Sequence, residues 1–226
     1  MSSDPGRLYA AARERITAIA QDLPAGAAER VCPATPEWTV HEVLAHLRGV
    51  TEDVRLGNLV GVATDPWTAK QVERLGATPI AELLSGWAED APLIEAVLSM
   101  PNPGEALLAV FDAHAHEADL RGALGLAPFL ADEFAEWCAP KFARGFIAKA
   151  AAADLPGVQV VTDEGDRIGA TDAPTVLRLS RFEFFRAVLG RRSAAQVLAY
   201  NWGSADAAAY LTHLFVFGPR ADDLVE

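Results

Sequence analysis

Apolar residues recur at helical spacing through the first half of the chain. Leu8, Ala12, Ile16, Ile19 and Leu23 follow steps of three and four, one stripe of a helix opened by Asp4-Pro5 and closed by Pro24 and Gly26. A second helix is expected from Thr39, where T-V-H-E reads as a capping box with Glu42 reaching back. Its buried stripe is Val40, Val43, Leu44, Leu47, Val50 and Val54. A third follows Thr78-Pro79 and carries Ile80, Leu83, Leu84 and Trp87. Pro92 is expected to kink or split it, because proline removes a ladder donor. The fourth runs from Asn102-Pro103 to Gly125, a glycine placed where helices commonly end. Four helices with short to moderate connections predict a bundle.

The pattern changes near Pro128. A helix over residues 132–153, interrupted at Pro140, gives way after Pro156-Gly157 to period-two, β-branched segments. Val158–Thr162, Arg167–Gly169 and Thr175–Leu179 read as short strands, with Asp163-Glu164-Gly165-Asp166 as a turn between the first two. Helices return at Arg181–Leu189, stopped by Gly190, and at Ser193, whose partner in a second capping box is Gln196. The fold class expected is α+β: a helical bundle over residues 1–130, then a smaller α+β domain over residues 131–226, the boundary lying within 126–155.

Composition narrows the partners. The 226 residues suit one to two domains at ~150 residues each. Lys and Arg number 19 against 31 Asp and Glu, and a net charge of −12 repels phosphate backbones and anionic lipids. Nucleic-acid and membrane partners are therefore not expected. Cys32 and Cys138 lie far apart in sequence, which speaks against a disulfide scaffold or a thiolate zinc site. The polar amino terminus lacks the apolar core of a signal peptide, and no run of 18 apolar residues occurs, so a cytoplasmic protein is expected.

Among the histidines His41, His46, His114, His116 and His213, one pairing stands out. Asp112 and His116 are four apart, one turn along a helix on nearly the same face, so both can point at one atom. Imidazole nitrogen and carboxylate oxygen are both zinc ligands, and a catalytic zinc takes three protein ligands and keeps a fourth position open. His46, on the flank of the second helix's apolar stripe, is the best third ligand. From spacing alone the commoner reading is a packed or partly solvated polar pair. Trp38 fits a pocket mouth or a hydrophobic staple ahead of the helix. Phe182, Phe184 and Phe185 are expected in the core, and the two cysteines are expected to act as small buried hydrophobes.

Cys32-Pro-Ala-Thr-Pro-Glu-Trp-Thr-Val40 followed by Leu44-Ala-His-Leu47 resembles the P-x-W-T-V…HL signature of mycothiol-dependent maleylpyruvate isomerase-like proteins, within the DinB-like superfamily. Asp112-Ala-His-Ala-His116-Glu-Ala-Asp119-Leu-Arg121-Gly-Ala-Leu-Gly125 resembles that family's second block, and Phe182–Ser193 looks like its smaller carboxy-terminal, sterol-carrier-like domain. The resemblance implies a DinB-like four-helix bundle holding a divalent metal, most often zinc (Zn2+), through His46, Asp112 and His116. Members nearest the isomerase carry Glu where this chain has the shorter Asp112.

The resemblance also implies the chemistry. Mycothiol, a low-molecular-weight thiol cosubstrate, would ionise at the metal and attack a small-molecule electrophile. Adding to a conjugated double bond, which rotates before the thiol leaves, makes an isomerase; releasing the adduct makes an S-transferase. Asp119 is a candidate hydrogen-bond acceptor behind the ligands, and Arg121 stands beside it in the motif. Arg181, Arg186, Arg191 and Arg192 are candidates to clamp an anionic substrate, although each taken singly reads better as solvated helix charge. The alternative is a non-catalytic, metal-containing protein that binds a small ligand. Monomer and homodimer both remain open.

Overall fold

The computed structural model describes residues 4–203 and 206–226; Met1–Ser3 of the polar amino terminus lie outside them. The fold is α+β and mostly helical. Two compact units divide between Pro128 and Phe129, with Glu226 grouped with the first.

The first unit holds α1 (Pro5–Gln21), the hairpin β1 (Val31–Cys32) and β2 (Thr35–Thr39), α2 (Val40–Leu56), α3 (Asp65–Leu75), α4 (Ile80–Leu98) and α5 (Leu108–Leu124). Helices α1, α2, α4 and α5 pack on one another, and α3 lies against α2. Asp4 caps α1, and Leu8, Tyr9, Ala12, Ile16 and Ala20 face inward, whereas Ile19 and Leu23 of the expected stripe are half-buried. The capping box at Thr39 forms as the sequence predicts, and Gly125 ends α5 at φ 68°. Trp87 Nε1 donates to Tyr9 Oη, which in turn meets Thr51 Oγ1 at 2.9 Å, so the buried polar tips of three helices satisfy one another.

Neither proline splits its helix, and two helices lie outside the sequence prediction. α4 runs unbroken through Pro92, and α6 (Asp132–Ala152) through Pro140. A helical proline frees the carbonyl four residues earlier. Here those carbonyls belong to Ala88 and Glu136, both exposed, where water can take up the lost bond, while Trp87, Ile94 and Leu98 on one helix and Phe134, Trp137 and Phe146 on the other hold the buried faces. α3 lacks an apolar stripe, since only Trp67 and Gln71 are buried on it.

The second unit has its own core. β3 (Val158–Thr162) pairs antiparallel with β4 (Arg167–Ile168) and parallel with β5 (Thr175–Leu179), in the order β4-β3-β5. All of β3 is buried. α6, α7 (Arg181–Val188), α8 (Ala194–Leu198) and α9 (Ala207–Leu214) complete the unit, with Phe146, Val160, Leu177, Phe184, Trp202 and Tyr210 in the core and Phe182 only half-buried. α9 was not expected from the sequence. Among the described residues, no helix is long and apolar enough to cross a membrane.

His114 links fold to pH. It is buried on α5, its Nε2 donates to the Leu8 carbonyl at 3.3 Å, and burial, reinforced by Arg15, pushes its pKa down to about 3. The unfolded chain takes up a proton near pH 6.5 that the folded state refuses. Stability is therefore full above about pH 6.5 and declines as pH falls toward about 3. In chelator-containing buffer, the melting temperature should fall between pH 6.5 and 4, and His114→Gln should flatten that slope. An unchanged slope would remove His114 from the account.

Candidate metal centre

The centre is built where α2 and α5 face each other under the β1–β2 hairpin. Thr39 Oγ1 accepts from Glu42 N at 3.3 Å and the Glu42 carboxylate accepts from Thr39 N at 2.7 Å, which fixes where α2 begins. With Val43, Leu47 and Val50 turned inward, His46 is carried into the interior and keeps only 2% of its surface. On α5, Asp112 and His116 stand one turn apart beside the small residues Ala109 and Ala113. β2 delivers Trp38 directly before the cap, with its ring 4.9 Å from the His46 ring and 5.9 Å from that of His116.

His46, Asp112 and His116 each offer one ligand atom within 4.8 Å of the other two. His46 Nε2 lies 3.2 Å from Asp112 Oδ2, and His116 Nε2 lies 3.3 Å from Asp112 Oδ1. A tetrahedral ion with bonds of about 2.0–2.1 Å has ligand–ligand edges of about 3.3 Å, so these two separations suit such an ion. The donor set, two imidazoles and a carboxylate, suits zinc and its first-row neighbours.

The opposite nitrogens each face an acceptor. His46 Nδ1 meets Gln71 Oε1 at 2.7 Å, and His116 Nδ1 stands 3.0 Å from Oδ2 of the fully buried Asp119. Gln71 therefore keeps the His46 proton at Nδ1, so that ring, when neutral, turns a lone pair toward Asp112, whereas His116 Nδ1 lies at ion-pair distance from Asp119 without hydrogen-bond alignment. Acceptor against acceptor repels unless a proton or a cation lies between them. Burial works to raise the Asp112 carboxyl, yet the two imidazoles outweigh it and hold it below the usual carboxylate range. Burial likewise opposes a charged His116, but Asp112 and then Asp119 push it up to about 9. The pocket favours positive charge at its centre.

The other sequence candidates lie elsewhere. Arg121 sits in the last turn of α5, with Nε 3.6 Å from Glu117 and Nη1 donating to the Ala127 carbonyl at 3.4 Å. His114 faces α1, and His41 Nε2 donates to the Thr78 carbonyl at 2.8 Å. In the second unit Arg181 donates to Asp166 at 2.6 and 3.0 Å, and Arg192 grips both oxygens of Glu183 at 2.7 Å. Arg191 Nη1 donates to the Leu189 carbonyl, and Arg186 is fully buried, so neither Arg186 nor Arg192 is a solvated helix charge. Gln71 is the neighbour of the centre that sequence reasoning missed; a lone glutamine on a helix without an apolar stripe carries no signal of its own.

Purified protein should carry about one divalent ion per chain. The His46→Ala/His116→Ala double variant should carry none and still melt cooperatively, because the helix faces rather than one ion hold the unit together. Equal metal content in both proteins would dismiss the centre.

No family model, curated protein or solved structure matches this chain, and the centre stands on its own geometry.

Proposed function

We propose that the chain is a divalent-metal enzyme that turns a low-molecular-weight thiol, mycothiol by the resemblance of its motifs, against a small electrophile, either as an isomerase of the maleylpyruvate type or as a thiol S-transferase. The observation that carries this reading is the asymmetry of the centre. Both imidazoles are buried, while the Asp112 side chain keeps 29% of its surface exposed. Structural zinc sites close with four protein ligands, and catalytic ones hold three and leave an accessible side. Among the described residues the cluster has three members.

A divalent ion held there supplies Lewis acidity at which a thiol ionises near neutral pH. The protein's own part is to hold and to exclude. His46 and His116 present neutral nitrogens, Asp112 contributes a single negative charge, and Trp38 shields one side of the imidazoles with an apolar face against which a conjugated electrophile can lie. Asp119, 3.0 Å from His116 Nδ1, sets a negative charge behind that ring. A protein nucleophile is not required. Burial, with Asp119 adding, pushes the Cys32 thiol up to about 12, and burial raises Cys138 well above the ordinary thiol range. The packing of α1, α2, α4 and α5, with ligands on α2 and α5, supports a DinB-like reading of the first unit, and the small sheet with its helices supports a sterol-carrier-like reading of the second.

Mycothiol should bind the metal-loaded protein and not the chelated one, with release of a proton. Calorimetry in two buffers of different ionisation enthalpy reads that proton, and identical heats would rule out sulfur coordination. A protein that takes the ion but no thiol is instead the non-catalytic binding protein.

Cys32→Ser and Cys138→Ser should each keep most thiol-dependent turnover. His116→Ala should lose about three orders of magnitude, the scale of removing a Lewis acid worth several kcal/mol. A Cys32→Ser protein that is metal-loaded but inactive would overturn the mechanism.

A further inference from the structure

We infer that Gln71, itself set by Asp53, is the positioning residue that keeps the proton on His46 Nδ1 and aims the Nε2 lone pair at the point shared with Asp112 and His116. The inference rests on the metal reading above. Gln71 has no exposed surface, so each of its amide atoms needs a partner within the protein. Its Nε2 donates to Asp53 Oδ2 at 2.8 Å. A carboxylate accepts and cannot donate, so the amide oxygen is the atom left to face His46 Nδ1, 2.7 Å away. That oxygen only accepts, so Nδ1 must carry the proton.

Asp53 is anchored in turn. Its Oδ1 accepts from Arg74 Nη2 at 3.0 Å, and Arg74 Nε donates to Glu52 at 2.8 Å. The chain therefore runs Arg74, Asp53, Gln71, His46, with donor and acceptor assigned at every link. The backbone keeps it short. A Cβ added at Gly49 of α2 would lie 2.6 Å from Gln71 Cβ and 2.8 Å from its Cγ, so α3 comes this close only because residue 49 lacks a side chain. Ligating histidines are commonly oriented by a partner on the second nitrogen, and losing that partner typically weakens metal binding about ten- to a hundredfold.

The test uses the full chain and two readouts: the dissociation constant for Zn2+ by chelator competition, and the His46 Nδ1–H resonance by nitrogen-edited NMR. Gln71→Leu should weaken Zn2+ binding about ten- to a hundredfold and lose the protected proton signal. Asp53→Asn, which keeps Gln71 but frees its amide to turn, should shift both readouts in the same direction and serves if Gln71→Leu does not fold. The exchange Gln71→Glu/Asp53→Asn moves the negative charge one link along and reverses only the hydrogen bond between residues 71 and 53, still leaving an acceptor for His46 Nδ1 and one for Arg74, and should recover both. Wild-type affinity with an unchanged Nδ1–H signal in Gln71→Leu and Asp53→Asn would overturn the assignment. If the wild-type protein binds no divalent ion, the metal reading fails, and the Nδ1–H signal still decides the role of Gln71.

Discussion

Three groups that are all hydrogen-bond acceptors when the imidazoles are neutral, His46 Nε2, His116 Nε2 and the Asp112 carboxylate, are brought within 4.8 Å of one another, two of them in a nearly water-free interior. Such a group is unfavourable unless positive charge occupies its centre, and each unmet partner there costs about 1–3 kcal/mol or more. Much of the first unit can be understood as the means of holding it. The capping box sets the axial position of α2, the one-turn spacing on α5 presents two ligands together, and Gly49 admits α3 so that Gln71 can reach His46. Moving any of these elements by an ångström would separate groups that now sit at ligand distance.

Arginine is used differently from what the acidic composition suggests. Within a chain of net charge −12, several guanidiniums are committed to internal carboxylates. Arg15 makes a two-pronged contact with buried Glu117, and Arg192 does the same with Glu183, which also accepts from Tyr200. Removing one partner from such a pair strands a buried charge, at a cost of about 3–5 kcal/mol. The first pair ties α1 to α5, and the second ties the segment after α7 back to α7, which lets Arg192 sit in the interior of a small unit.

Much of the architecture was legible in the sequence because it depends on local rules. The capping boxes at Thr39 and Ser193, the strands at residues 158–162 and 175–179, and the one-turn pairing of Asp112 with His116 are written in spacing of three, four or two residues, while His46 was picked out by its place on the flank of the α2 stripe and by the family resemblance. What escaped depends on packing. α3 buries only Trp67 and Gln71, so no stripe announces it, and the place of Gln71 in the centre follows from a tertiary approach allowed by a glycine on another helix. Pro92 and Pro140 broke a local rule without breaking a helix, since the carbonyls they free belong to exposed residues. Trp38 was read as a staple or a pocket wall; its ring lies over both imidazoles.

On the metal reading proposed above, the placement of Trp38 also bears on the time course of loading. With the indole across the imidazoles and both rings buried, the solvent-facing atoms of the centre belong to Asp112. A cation arriving from solution meets a carboxylate first, under the attraction of an acidic surface, so its rate of capture should rise as ionic strength falls. Its departure requires the buried nitrogens to let go. Entry is thus governed by long-range charge and residence by short-range coordination, and salt should change how quickly the centre fills far more than how long it stays filled.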